Sequence, residues 1–275
     1  MKPVATDPLQ AWLPTPGTDL YYAFRYVPAA AALPLILLES FRRLLANIPL
    51  GCSNPEIARA KLDWWHGELH TPGNASSRHA LLRALEPFCQ RDAALKDALF
   101  ALVEGTRSLL DQARFEDPSA RWAAYTKTHS PLWAVHARSC GITNPTRIAA
   151  VCELGLAIEL IWGFRELRRL IDAQVTWLCQ THIPVAATSM ADGDWYAAVG
   201  TQEIIYLRAT IKNAEKNLRA GGTLPRACRG ILVLAELART TLEEIATDGC
   251  RVWERRIELT PLRKLLRTLK VRFRD

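Results

Sequence analysis

Glu159 and Glu166 stand seven residues apart in an otherwise apolar stretch, a spacing that puts both on roughly the same face of one helix. Two carboxylates so placed can in principle hold one metal ion. Arg165 and Arg169 lie beside them, and charged residues at helical spacing are as a rule salt-bridged or solvated, so a structural role is the expectation. His66 and His70 are four apart on one helix. That spacing also suits a metal, but no third ligand is evident and a packed or exposed pair is expected. The chain has no HExxH motif, no GxSxG elbow, no phosphate-binding glycine loop and no Cys-His nucleophile signature. Its seven cysteines, Cys52, Cys89, Cys140, Cys152, Cys179, Cys228 and Cys250, are scattered and include no CxxC pair. They suggest neither a zinc site nor a disulfide framework, and reduced, mostly buried thiols of a cytosolic protein are expected.

Charge is concentrated at one end. Residues 251–275 contain nine basic and three acidic side chains, so six of the net seven positive charges fall there. Arg263, Lys264, Arg267, Lys270 and Arg274 recur at spacings that place several on one helix face, beside Leu262, Leu265, Leu266 and Leu269. Basic residues flanking an apolar stripe suit peripheral attachment to an anionic bilayer. A solvated face that aids solubility would look the same. No nucleic-acid-binding motif accompanies the basic segment, so nucleic acid is not an expected partner.

The elements that position these residues are helices. Apolar residues repeat at three- and four-residue spacing in nearly every long segment, with no alternating strand pattern, which predicts an all-α fold. Asn54-Pro55-Glu56 and Asn144-Pro145 each place a capping side chain before a first-turn proline. Helices are expected over 28–46, from 55, over 77–88, 93–115 and 118–138 with an interruption at Pro131, and from 145 to about 180. Further helices are expected over 195–219 and 225–247 and from Pro261. With 275 residues and 49% hydrophobic composition the chain can bury a sizeable core, to which most of its nine tryptophans should contribute. Residues 1–12 have no secretion-signal pattern, and the longest nearly apolar run, 27–38, is too short to span a bilayer and carries Pro28 and Pro34. The expected location is cytoplasmic, peripheral to the inner face of a membrane.

Four stretches carry a family resemblance. Asp19-Leu20-Tyr21-Tyr22-Ala23-Phe24-Arg25-Tyr26-Val27-Pro28 resembles the opening segment of squalene/phytoene synthases. Ala58-Arg59-Ala60-Lys61-Leu62-Asp63-Trp64-Trp65 with Glu68-Leu69 resembles their tryptophan-pair helix, and Leu154-Gly155-Leu156-Ala157-Ile158-Glu159-Leu160 through Arg165-Glu166 resembles the helix bearing their second aspartate motif. Asp248-Gly249-Cys250-Arg251-Val252 with Arg255-Arg256 and Arg263-Lys264-Leu265 is similar to their C-terminal end. Order and spacing agree from about residue 19 to 268. The resemblance implies a short N-terminal extension, 1–18, and a single isoprenoid-synthase-like helical domain, 19–275, around a central cavity. It places Tyr22, Phe41, Arg43, Tyr125, Glu159, Arg165 and Glu166 in that cavity's wall. Members of the family join two isoprenoid diphosphates head to head.

That chemistry needs a leaving diphosphate neutralised by carboxylate-held magnesium. The three aspartates of the family's first motif correspond here to Ala46, Asn47 and Leu50, and the two of the second to Glu166 and Leu170. Arg168 and Arg169 add positive charge nearby. The family's Tyr-Cys pair and following glycines correspond to Tyr125-Thr126, Pro131 and Ala134. The expectation is therefore a catalytically degenerate relative without a metal or cofactor, acting as a binding or assembly factor for an isoprenoid lipid or a protein partner. The family includes such a branch in the respiratory complex I assembly factors. The alternative is a prenyl diphosphate-condensing transferase with a rearranged magnesium site.

Overall fold

The computed structural model describes residues 11–52, 54–70, 79–111, 114–173, 175, 177–182, 193–220 and 222–274. Among them are eleven α-helices: α1 (Asp19–Phe24), α2 (Ala29–Leu50), α3 (Pro55–His70), α4 (Ala80–Cys89), α5 (Ala93–Asp111), α6 (Pro118–Ser139), α7 (Pro145–Arg165), α8 (Leu167–Asp172), α9 (Gly193–Ala220), α10 (Arg229–Thr247) and α11 (Pro261–Arg274). No strand forms among the described residues, and Phe115 and Cys179 make an isolated bridge. The fold is all-α, the architecture expected from the apolar periodicity.

The helix starts follow from local chemistry. Asn54 accepts a hydrogen bond from the Glu56 amide at 2.8 Å, Asp117 from the Ala120 amide at 2.8 Å and Asn144 from the Arg147 amide at 3.1 Å. Each side chain satisfies one of the amides that a helix leaves unpaired at its first turn. The helix expected over 195–219 is α9, described from Gly193 to Ala220. Ser77, the expected start of α4, lies outside the described residues, and that helix begins at Ala80 with His79 as its cap.

Two expectations are corrected. The helix over 118–138 is not interrupted at Pro131, because α6 runs through it. Leu132 and Trp133, the next two residues, are fully buried, and packing of α6 between α5 and α7 outweighs a proline penalty of about 3 kcal/mol. The stretch from 145 does not stay helical to 180. It breaks at Glu166 and again after Asp172, and Trp177 folds back so that its ring stacks on Phe164 at 5.4 Å. A straight helix would carry Trp177 roughly 20 Å along the axis from Gly163 and Phe164.

The core centres on α7, which packs against α6, α9 and α10. Its residues from Leu154 to Ile161 are buried on every side, the pattern of a helix surrounded by others rather than one with a single apolar stripe. Close approach of α6 depends on Gly155: a methyl group there would lie 2.0 Å from the Trp133 ring. A buried ion pair, Arg121 to Glu203 at 2.7 Å, ties α6 to α9, and Arg121 stacks over Trp177 at 4.2 Å.

Of the tryptophan pair on α3, Trp65 faces inward, 4% exposed and edge-on to Phe41 at 5.2 Å, whereas Trp64 is 38% exposed. Replacing Trp65 by alanine is expected to cost about 3 to 5 kcal/mol of stability, and the same change at Trp64 much less. Urea unfolding of the two variants checks this, and equal losses would mean that α3 is rotated from the orientation described.

Candidate functional site

A cavity of about 360 Å³ opens among α1, α2, α5, α6, α7 and the start of α11. Its inner end is built on a buried charge cluster. Glu39 and Arg42, one turn apart on α2, pair at 2.7 Å, and Arg42 reaches across to Glu159 on α7 at 3.2 Å. His136 of α6 hydrogen-bonds the other oxygen of Glu39 at 2.9 Å, and Trp162 lies under the guanidinium at 4.8 Å. Three helices thus converge on one cation.

One guanidinium between two buried carboxylates cannot serve both equally. Burial works against the Glu39 charge, but Arg42 and His136 together overcome it and bring the carboxyl down to about 2. Glu159 takes the other outcome. Burial is the main influence and pushes it up to about 7; Arg42 opposes the rise and the Glu39 charge adds to it. Burial, with the Arg42 charge, holds His129 down to about 3, so its ring is neutral near pH 7. Its Nδ1 lies 4.0 Å from Glu159 Oε1, beyond hydrogen-bonding distance.

The mouth carries a second network. Asp19 meets Lys264 at 2.9 Å and Arg165 at 3.6 Å. Glu166 meets Arg256 at 2.6 Å, Arg169 at 3.3 Å and Arg165 at 3.4 Å, while Glu258 meets Lys264 and Arg256, each at 3.3 Å. Arg43 lines the cavity with no acidic partner among the described residues. In all, six cationic side chains and four carboxyl groups line the space.

Of the residues that the sequence assigns to the wall, the structure brings Arg43, Tyr125, Glu159, Arg165 and Glu166 together there. It does not bring Tyr22 or Phe41. The Tyr22 hydroxyl donates to the Pro261 carbonyl at 2.9 Å, and Phe41 is buried against Trp65. Ala46, Asn47, Leu50, Glu166 and Leu170, where the family resemblance puts metal-binding aspartates, all line the cavity. Among the described residues no three His, Cys, Asp or Glu side chains converge as a metal site requires. The His66 and His70 rings lie 4.2 Å apart, tilted to each other, on the outer face of α3, with His66 paired to Glu104 at 3.1 Å.

The basic tail requires a larger correction. Lys264, expected at a membrane surface, is 2% exposed and holds the cavity mouth. Arg263 pairs with Glu244, and Arg267 lies 3.6 Å from Glu236. The Arg274 side chain lies outside the described residues. What α11 turns outward is apolar: Leu262 is 66% exposed, Leu266 58% and Phe273 81%, with Leu265 beside them and Lys270 and Arg272 alongside. Sequence reasoning missed Glu39, Arg42, His129, Asp19, Arg256 and Glu258. The Glu39–Arg42 pair did leave a signal, being charged residues one turn apart inside the apolar run 35–45.

Because folded Glu159 keeps its proton up to about pH 7 and the unfolded group releases it near 4.5, the native state binds more protons between those values. Stability therefore falls as pH rises through that window. A Glu159→Gln variant is expected to lose this part of the slope, measured as urea midpoints at about pH 5 and about pH 7. An unchanged slope would show that Glu159 is ionised throughout.

The chain is similar to proteins of known structure. A dehydrosqualene synthase crystallised in complex with ligand superposes with a TM-score of 0.75 at 14% identity, covering 93% of this chain and 91% of that one. The squalene synthase HpnC from Alicyclobacillus acidocaldarius gives 0.67 at 14% identity, over 83% of this chain and 88% of that one. No curated protein sequence matches. The family model for squalene/phytoene synthase matches residues 13–263, nearly the whole chain, and the chain belongs to the squalene/phytoene synthase family.

Proposed function

We propose that this chain is a non-catalytic member of its family that binds a phosphorylated isoprenoid lipid, as a binding or assembly factor at a membrane surface. The observation that carries this reading is the make-up of the cavity wall. At the five aspartate positions the wall offers one carboxylate, Glu166, and Arg165, Arg169 and Arg256 all contact it. A magnesium cluster needs several anionic oxygens free to face the metal, and this set does not fit one. The cavity retains a cationic excess, six basic groups against four carboxyl groups with Glu159 partly protonated, which suits an anionic head group without a metal. The structural neighbours are named as synthases of dehydrosqualene and squalene, which favours an isoprenoid chain on that head group.

Diphosphate release from farnesyl or geranylgeranyl diphosphate, measured with and without magnesium, is expected to stay at background. Magnesium-dependent turnover abolished by Glu159→Gln or Glu166→Gln would establish instead a prenyltransferase with a rearranged metal site.

Attachment to the membrane is assigned to the outer face of α11. No helix among the described residues is long and apolar enough to cross a bilayer, but Leu262, Leu265, Leu266 and Phe273 form an exposed apolar stripe. Lys270 and Arg272 flank it and have no acidic partner among the described residues. Each basic group near an anionic surface adds about 1 kcal/mol, and with Lys264, Arg263 and Arg267 engaged elsewhere the apolar residues must supply most of the affinity. Sedimentation with anionic vesicles should show weak binding that drops at high salt and is lost in a Leu262→Asp, Leu266→Asp double variant. Binding that the double variant retains would remove α11 from this role.

A further inference from the structure

The inner end of the cavity is a poor place for hydrocarbon. Tyr125 and His129 line it together with Arg42 and Glu159, and neither the Tyr125 hydroxyl nor the His129 ring hydrogen-bonds any described residue. Glu159 is 5% exposed, and its Oε1 has no hydrogen-bond partner. The indole N–H of Trp133 points to the same carboxyl group and favours its charged form, without closing to a full hydrogen bond. A chain entering from the mouth therefore meets a polar floor, and hydrocarbon there would leave those groups without hydrogen-bond partners.

We propose that this floor is a hydroxyl-binding subsite: the bound lipid carries a hydroxyl group at the far end of its chain, hydrogen-bonded by Tyr125, His129 and Glu159. The assignment rests on the reading of the cavity as a site for a phosphorylated lipid, and adds the chemistry of the other end. A hydroxyl both donates and accepts. It can donate to the Glu159 carboxylate or the bare nitrogen of a neutral His129, and accept from Tyr125, whose hydroxyl burial keeps protonated. An ammonium group would lie beside Arg42 and could accept from none of them. Floor and mouth are spaced by α7 itself: Glu159 and Glu166 are seven residues apart, roughly 10 Å along a helix. The ligand is thus a short chain with an anionic phosphate at one end and a hydroxyl at the other.

The test is calorimetric titration of the full chain, in chelator without magnesium, with geranyl diphosphate and with the same compound bearing a hydroxyl on its terminal methyl. The hydroxylated compound should bind about fivefold to tenfold more tightly, the value of one well-placed hydrogen bond. The ratio of the two affinities, taken within each variant, should shrink towards one in Tyr125→Phe, which removes a single oxygen and keeps the ring, and in Glu159→Gln. Thermal melting confirms that each variant is folded. Parent binding with no gain from the hydroxyl, or a gain that both variants retain, overturns the subsite and leaves the wider reading of the cavity standing. Failure of both compounds to bind overturns both.

Discussion

A guanidinium buried between two carboxylates organises this molecule. Arg42 is held by Glu39 on its own helix and by Glu159 across the cavity, so α2, α6 and α7 share one electrostatic centre once His136 joins through Glu39. Burying charge is costly unless each group is paired and hydrogen-bonded. Here burial works against the Arg42 charge, and the two glutamates outweigh it. The arrangement leaves one carboxyl group incompletely compensated, and that group faces the cavity. Structural stability and the character of the site therefore trace to the same three side chains.

The mouth of the cavity uses the opposite strategy. Acids and bases there form a chain of shared contacts, Asp19 to Lys264 to Glu258 to Arg256 to Glu166, in which several members remain partly solvated. Such pairs are individually weak because water screens them, but together they fix the positions of several cations around one opening. A deep pair that sets protonation and a shallow network that sets potential divide the cavity into two chemically distinct ends.

Much of the architecture is legible in the sequence because it is local. Asn54-Pro55 and Asn144-Pro145 announce helix starts whatever surrounds them, and apolar periodicity carries through α5, α9 and α10. What escapes is set by distant partners. Pro131 argues for a break that packing against α5 and α7 overrides, and Trp177 ends a helical run because Gly163 leaves room for its ring. The candidate site divides the same way. Arg43, Glu159 and Glu166 are found from their place in a family pattern, whereas Lys264 looks like one member of a surface stripe. Its partner Asp19 lies more than two hundred residues earlier, and no local rule connects them.

The position of α11 has a mechanical consequence. One edge of this short helix supplies Lys264 to the cavity rim and, through the Pro261 carbonyl, anchors the Tyr22 hydroxyl of α1. The opposite edge is a row of bare leucines ending in Phe273. Because one short helix carries both edges, a contact that tilted it from outside would move Lys264 and the Pro261 carbonyl with it.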